Sequence, residues 1–263
     1  MDTSGLTGTP AAYMLSHACY VMSGVTGTLP AGFMDTSGLT GAPATYMLYA
    51  TCRDMFNVTG SLPTGFMDTS GLTGTPAESM LYFTCYHMSG VTGTLPTGFM
   101  NTSGLTGTPA AYMLYATCHN MSGVTGSLPT GFMDTSGLTG TPAESMLRST
   151  CYGMSGVTGS LPTGFMDTSG LTGTPAESML YFTCYNMSGI TSGGITIGAG
   201  ITLDNSNIVE PLTSSFQNMT AWTGQVYWGT NVIHTVLTPA SDINTFAGDV
   251  NMPDYATINA NWK

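Results

Sequence analysis

A repeat of 33 residues is the feature that most constrains the fold of this chain. The sequence MDTSGLTGTPAAYMLSHACYVMSGVTGTLPAGF occupies residues 1–33. Near-copies of it begin at Met34, Met67, Met100, Met133 and Met166. Repeats of about 20 to 50 residues are typical of solenoids, because one such unit cannot bury its apolar face without neighbours. We therefore expect an array of stacked units, and we count places within each unit from its first methionine.

The C-terminal part of the chain diverges from the repeat but follows the same pattern. SSFQNMTAWTG aligns with FTCYNMSGVTG and puts Phe216 at the cysteine position, and TFAGDVNMPDY puts Phe246 there. We divide the chain into near-identical repeats at 1–189 and two divergent repeats at 190–263, which gives eight units. We expect the divergent repeats to cap the array, since an uncapped end exposes an apolar face.

The second third of each unit predicts an α-helix. Places 11, 14, 15, 18, 19 and 22 stay Ala, Met, Leu, Thr or Ala, Cys and Met, whereas the places between them vary. At about 100° per residue the constant places share one side of a helix. TPAE at 75–78 reads as an N-cap threonine, a first-turn proline and a reciprocal glutamate. The glycine of the following SG suits the helix end.

The rest of each unit predicts short extended segments. SGVTGSLPTGF alternates apolar and polar residues and favours one short strand, which its proline ends. TSGLTG favours a second extended segment before the next helix. One helix and a short strand in every 33 residues predict an α/β solenoid, a leucine-rich-repeat-like array of about eight units.

A cysteine occupies place 19 of every near-identical unit. On the predicted helix this place faces inward, where a free thiol acts as a small apolar filler. Neighbouring helices pack about 8 to 10 Å apart, which is too far for a disulfide. The four histidines fall at unrelated places, so the pattern indicates packing and not metal binding or nucleophilic catalysis. We predict no enzyme activity, no catalytic or metal-binding residue and no cofactor. The six cysteines are Cys19, Cys52, Cys85, Cys118, Cys151 and Cys184.

The charge balance excludes several classes of partner. Three basic and fourteen acidic residues give a net charge of −11, which argues against binding to nucleic acid phosphates. No apolar run approaches the roughly 20 residues of a membrane span, so we predict no membrane insertion. Residues 1–30 lack a secretory signal, and Met1 stands at a repeat place. We expect these residues to belong to a longer chain whose export signal lies outside this sequence.

The order of these segments resembles a known family. A helix followed by TCYNMSGVTGSLPTGF, with TFAGDVNMPDYATINANW at the end, is similar to the BspA-like leucine-rich repeat proteins of bacterial and protist surfaces. The family's common aromatic is replaced by cysteine in six units and kept as Phe216 and Phe246. The resemblance implies a parallel-strand solenoid at a cell surface, used for adhesion or recognition and not for catalysis.

Tyrosines at places 13, 16 and 20 form the first candidate contact surface. These places face outward on the predicted helix, and rows of exposed aromatics commonly mark contacts. We therefore expect self-association into filaments or sheets, or binding to a surface protein or glycan. The alternative is that the rings pack on one another between neighbouring units. The tyrosines are Tyr13, Tyr20, Tyr46, Tyr49, Tyr82, Tyr86, Tyr112, Tyr115, Tyr152, Tyr181 and Tyr185.

Outward hydroxyls at places 26 and 28 favour an alternative function, in which a flat Thr/Ser face binds carbohydrate or ice. Threonine also suits an exposed strand for purely structural reasons. The residues are Thr26, Thr28, Thr59, Ser61, Thr92, Thr94, Thr125, Ser127, Thr158 and Ser160.

Two further sets of polar residues have structural and functional interpretations. Candidate glycosylation sequons stand at Asn57, Asn101, Asn120, Asn186 and Asn218. A column of acidic residues at place 2 suggests either calcium binding or aspartates that cap their own DTSG turns. It comprises Asp2, Asp35, Asp68, Asp134 and Asp167, with Asn101 in the remaining unit.

Overall fold

Short extended segments join each unit to the next. The structure, a computed structural model, describes residues 1–198, 200–201, 215–216, 218–222, 225–228 and 231–234. Parallel bridges pair Gly8 with Leu39 and Gly27 with Val58, and equivalent bridges recur in later units. The Thr59 N–H donates to the Gly27 carbonyl at 2.8 Å in the second of these ladders. Both predicted extended segments are therefore present, mostly as single bridges.

The bridges lengthen into strands near the end of the described residues. Strand β1 (Gly159–Ser160) pairs in parallel with β3 (Ile190–Ser192), and β2 (Thr172–Gly173) pairs in parallel with β5 (Gly200–Ile201). A third sheet has the order β4, β6, β7, in which the first pair is parallel and the second antiparallel. Its strands are β4 (Gly194–Ile197), β6 (Gln225–Trp228) and β7 (Asn231–His234).

The predicted helix is absent, and no α-helix occurs among the residues that the structure describes. Residues 12–21, and the corresponding residues 45–54 of the next unit, form consecutive turns. We call places 12 to 21 the turn segment. Every fourth residue of this segment has a positive φ, as shown by Tyr46 at 56°, Ala50 at 50° and Asp54 at 61°. The reading of TPAE as a helix cap is therefore wrong as well.

Alternating hydrogen bonds explain why the turn segment displaces a helix. The N–H groups of Leu48 and Ala50 donate to the Met80 and Tyr82 carbonyls of the next unit, at 3.0 and 2.7 Å. The Tyr49 N–H instead closes a turn onto the carbonyl of Tyr46, three residues back. A left-handed residue costs about 1–2 kcal/mol, and hydrogen bonds of about 0.5–1.5 kcal/mol each offset this cost. Contacts between units thus override the local preference for a helix.

The apolar side of the turn segment forms the core with residues from the extended segments. Met47, Leu48, Cys52 and Met55 are each fully buried, which confirms that places 14, 15, 19 and 22 face inward. The phenylalanines at place 33 stack through the core with ring centroids 6.1–6.3 Å apart. They are Phe33, Phe66, Phe99, Phe132 and Phe165.

Buried threonines satisfy backbone carbonyls between units. The Thr84 hydroxyl donates to the carbonyl of Leu48, 36 residues earlier, at 2.8 Å. At place 3, the Thr36 hydroxyl donates to the carbonyl of Asp68, 32 residues later, at 2.7 Å. Both threonine side chains are buried. These bonds satisfy buried polar atoms, which would otherwise destabilise the fold.

The first divergent repeat continues the hydrogen bonding of the earlier units. The Cys184 N–H donates to the Ser215 carbonyl at 2.7 Å, just as the Cys151 N–H donates to Thr183. Phe216 is buried and follows Ser215 as Cys184 follows Thr183, in agreement with its predicted alignment. Phe246 lies outside the described residues, and the proposed capping role of residues 190–263 stays a prediction.

Candidate functional site

The tyrosines of place 16 stack on one another along the array. Ring centroids are 5.0 Å apart for Tyr49 and Tyr82, and 4.8 Å apart for Tyr82 and Tyr115. Arg148 holds place 16 in the next unit, and its guanidinium lies over the rings of Tyr115 and Tyr181. One continuous column of flat side chains therefore crosses five units.

Place 20 forms a second column that mixes tyrosine, arginine and histidine. Its members from unit 3 onward are Tyr86, His119, Tyr152 and Tyr185, with successive ring centroids 4.6, 4.4 and 4.7 Å apart. In the first two units Tyr20 and Arg53 continue this column by cation–π contacts. The sequence analysis considered only the tyrosines and missed Arg53, Arg148 and His119. These three residues occupy the same places of the repeat as tyrosines of other units, so an alignment of the units would have identified them.

These stacks cover part of most tyrosines in the predicted contact surface. Tyr13 and Tyr20 are 62% and 42% exposed, and both belong to the first unit. The other nine tyrosines of the set are only half-exposed. Tyr46 stacks on Tyr13 at 5.0 Å, and the Tyr112 hydroxyl donates to the Glu144 carboxylate. The geometry therefore favours the alternative reading, in which the rings pack between units.

The predicted hydroxyl residues form a regular exposed surface, which we call the first hydroxyl face. It contains the threonines and serines of places 26 and 28 in the first five units, and all ten are exposed. A glycine lies between the two hydroxyl residues; at Gly126 the φ is 77°, which disfavours a side chain, and a Cβ would lie 2.7 Å from the methyl of Thr94. Neighbouring units are joined here by backbone hydrogen bonds, which place successive hydroxyl pairs about 4.7–4.9 Å apart.

A second hydroxyl face was not identified from the sequence. It lies on the other ladder, at places 7 and 9, and the motif LTGTP carries the same Thr-Gly-Thr spacing that revealed the first face. Eleven exposed threonines form it, with Ala42 in the remaining position. They are Thr7, Thr9, Thr40, Thr73, Thr75, Thr106, Thr108, Thr139, Thr141, Thr172 and Thr174.

The acidic column at place 2 caps turns. Asp35 Oδ1 accepts from the Ser37 backbone N–H at 3.0 Å and from the Ser37 hydroxyl at 2.6 Å. Asn101 makes the same two bonds to Ser103. Capping of the DTSG turn is thus confirmed, and it works equally well with a neutral amide. Calcium binding by Asp2, Asp35, Asp68, Asp134 and Asp167 stays an untested alternative.

The sequon asparagines occupy different environments. Asn57 is exposed, and its Nδ2 donates to the Ser23 carbonyl at 2.6 Å. Asn101, Asn120, Asn186 and Asn218 are half-buried, and Asn218 Nδ2 donates to Asn186 Oδ1 at 2.8 Å. Asn57 therefore has the most accessible side chain of the five sequons.

One polar cluster accompanies the place-20 column. Asp54 contacts Arg53 Nε at 3.2 Å and His87 Nδ1 at 3.0 Å.

Burial, together with the neighbouring His87, lowers the pKa of His119 to about 4. The Nδ1 atom of His119 is buried without a hydrogen-bond partner. A neutral imidazole therefore belongs to the folded state.

The six cysteines are free and buried, as predicted. Their predicted separation of 8 to 10 Å is wrong, because they lie on hydrogen-bonded backbones and not on packed helices. The Cys19 N–H donates to the Thr51 carbonyl at 2.7 Å, and the Cys52 N–H donates to the Thr84 carbonyl at 2.8 Å. Burial raises the pKa of the Cys52 thiol and of the Cys85 thiol. A hydrogen bond with Cys52 instead lowers the pKa of Cys19.

Comparisons with known proteins identify no relative of this chain. No protein-family model matches it, and neither a curated protein nor a solved structure is significantly similar to it. The resemblance to BspA-like proteins therefore stays a prediction from the sequence.

Two searches of the described residues bear on partners. No helix in this part of the chain is long and apolar enough to cross a membrane. Within the same residues, no three or more histidine, cysteine, aspartate or glutamate side chains come together in a group that would hold a metal ion.

Proposed function

We propose that this chain is an extracellular adhesive repeat module, a solenoid that binds a repetitive surface or polymer through its first hydroxyl face. The observation that carries the proposal is the uniform exposure of all ten Thr and Ser side chains on the first hydroxyl face. Their repetition at the spacing of a backbone ladder presents the same group to a ligand once per unit. A ligand with its own repeat gains from every added unit without a new ordering cost.

The chemistry of the face favours an uncharged, hydroxyl-bearing ligand. The segments GVTGTL and GLTGTP that carry the two faces contain no charged or aromatic residue. Each threonine offers a hydroxyl that both donates and accepts hydrogen bonds, next to a methyl group that can contact apolar surface. Carbohydrate polymers and ice both present ordered hydroxyl groups of this kind. The half-buried tyrosines support the fold and are not required for this contact.

A pair of matched variants tests the proposal. The first replaces Thr59, Thr92 and Thr125 of the first hydroxyl face with valine, which keeps the branched shape and removes the hydroxyl. The control replaces Thr40, Thr73 and Thr106 of the second hydroxyl face in the same way. All six side chains are exposed, so each change should leave the free energy of unfolding within about 0.5 kcal/mol per site.

Binding is measured by co-sedimentation with insoluble polysaccharides and by partitioning into growing ice. We expect the parent protein to bind one of these ligands and the first variant to lose at least tenfold in affinity. The control variant identifies whether the second face contributes. Failure of the parent to bind either class, or equal binding by parent and both variants, would rule out the hydroxyl faces as the contact.

A further inference from the structure

We propose that the six cysteines form an oxidisable set in which neighbouring units become joined by disulfides, with the pairing Cys19–Cys52, Cys85–Cys118 and Cys151–Cys184. This goes beyond the proposed adhesive function, because it assigns a covalent modification to the core.

Backbone hydrogen bonds bring each cysteine next to the following one. The N–H of every cysteine donates to the carbonyl of the residue just before the equivalent place in the next unit, at 2.7–2.9 Å. Hydrogen-bonded backbones of this kind lie about 4.7–4.9 Å apart. Disulfides form between Cα atoms about 4.4–6.8 Å apart. Adjacent units therefore satisfy the distance requirement that packed helices would have violated.

The Phe216 end of the column selects the pairing. Cys184 is followed at the same place by Phe216, so its one neighbouring cysteine in the described array is Cys151. Counting back from this end, complete pairing of neighbours joins Cys118 with Cys85 and Cys52 with Cys19. Complete oxidation of these six thiols between neighbours therefore gives three disulfides.

The first pair has the chemistry to begin the reaction. Hydrogen bonding with Cys52 lowers the pKa of Cys19, whereas burial raises the pKa of Cys85 and Cys118. With a small disulfide RSSR as oxidant, the Cys19 thiolate attacks one sulfur and releases RS⁻. The Cys52 thiolate then attacks Cys19 Sγ in the mixed disulfide and releases a second RS⁻. The protein loses two protons and two electrons, and RSSR is reduced to two RSH.

Cyanogen bromide mapping of the full chain tests the pairing directly. The full-length protein is refolded from urea in the presence of 2-hydroxyethyl disulfide, because its thiols are buried in the folded state. It is then blocked with iodoacetamide in urea and cleaved after methionine. Each cysteine then lies on its own eight-residue fragment of distinct sequence. The fragments are LSHACYVM, LYATCRDM, LYFTCYHM, LYATCHNM, LRSTCYGM and LYFTCYNM. We expect the first to cross-link to the second, the third to the fourth and the fifth to the sixth, with a rise in melting temperature.

Two double variants serve as a matched pair. Cys19→Ala with Cys52→Ala removes one whole pair, so it should lose the first cross-link, retain the other two and contain no alkylated cysteine. Cys52→Ala with Cys85→Ala removes one member of each of two pairs, so it should leave Cys19 alkylated and allow one cross-link among Cys118, Cys151 and Cys184. Six alkylated cysteines after oxidation, cross-links between different chains, or fragments paired out of this order would each overturn the proposal.

Discussion

The guanidinium carbon of Arg148 lies 4.8 Å from the ring centroid of Tyr181 and 5.4 Å from that of Tyr115. An arginine thus replaces a tyrosine at place 16 without interrupting the column. Arg53 does the same at place 20, with its guanidinium carbon 5.1 Å from the Tyr86 centroid. Both substitutions retain a flat group that stacks on aromatic faces. The columns therefore contribute to cohesion between units.

Replacing a central member of the place-16 column should destabilise the fold. Tyr82 stacks on Tyr49 and on Tyr115, and a stacked aromatic pair contributes about 0.5–1.5 kcal/mol. We expect Tyr82→Ser to lower the free energy of unfolding by about 1–3 kcal/mol in urea denaturation. Combined replacement of Tyr49, Tyr82, Tyr115 and Tyr181 should cost still more, contrary to the small effect expected if these places were free surface.

Tyr13→Ser is the control for this prediction. Tyr13 is 62% exposed and stacks on Tyr46 at one end of its column. Its loss should cost less than about 1.5 kcal/mol, since only one stack is removed. If Tyr82→Ser proves no more destabilising than Tyr13→Ser, the stacks do not contribute to stability.

A glycine substitution distinguishes the turn segment from a helix. Ser149 has a φ of 52°, in the left-handed region that disfavours side chains. In this structure Ser149→Gly removes a conformational strain of about 1–2 kcal/mol from the folded state. It also increases the conformational entropy of the unfolded chain, which lowers the free energy of unfolding by about 0.4–1 kcal/mol. Thermal melting should therefore show no loss of stability and a gain of up to about 1.5 kcal/mol.

Ala143→Gly provides the matched comparison, because Ala143 lies in the same unit and its φ is not positive. Here the change removes a methyl group and adds freedom to the unfolded chain, so we expect a loss of about 0.5–1 kcal/mol. A helix over both residues would make both variants less stable. Equal losses would thus argue against the turn segment.

Acid should weaken the array through His119. The pKa of His119 in the folded protein, about 4, lies below the ordinary value of 6.5. The folded state therefore binds the proton less tightly than the unfolded chain does. The stability that the neutral ring supplies is present above about pH 6.5 and is lost as the pH falls towards 4. After allowance for partial exposure, this loss is on the order of 1–3 kcal/mol.

His119→Tyr should abolish this part of the acid sensitivity. Tyrosine holds the same place in Tyr86 and Tyr152, between which His119 stacks. Melting curves from neutral pH to about pH 4 should fall less steeply for this variant than for the parent. Parallel slopes for the parent and the variant would contradict the assignment.

The sequence predicts the inward residues correctly and the backbone conformation wrongly, for one physical reason. The turn segment repeats every four residues, as the positive φ values of Tyr46, Ala50 and Asp54 show. A helix repeats every 3.6 residues, so over three turns both conformations bury nearly the same places. Met47 and Cys52 are buried on either reading. The turn segment differs from a helix in its hydrogen bonds between units. The sequence of a single unit does not show that these bonds form.

The sequence predicts the exposure of the first hydroxyl face correctly but the exposure of the tyrosines incorrectly. Exposure of Thr26 and Thr28 followed from alternation along one segment, which is a local property. The half-burial of Tyr82 depends on rings that are 33 residues away in both directions, so a single-unit pattern assigned it to the surface. Aligning the units place by place, with arginine and histidine included, would have revealed the columns.

Loss of a single buried hydroxyl should weaken the contact between two units. Thr117 Oγ1 lies 2.8 Å from the carbonyl oxygen of Leu81 in the preceding unit and 2.8 Å from that of Leu114 in its own. Thr117→Val keeps the shape but removes the donor, which should cost about 1–2 kcal/mol in urea denaturation. Thr125→Val makes the same change on the exposed first hydroxyl face and should alter stability by less than about 0.5 kcal/mol. Equal stability of the two variants would show that the buried hydroxyls do not hold the units together.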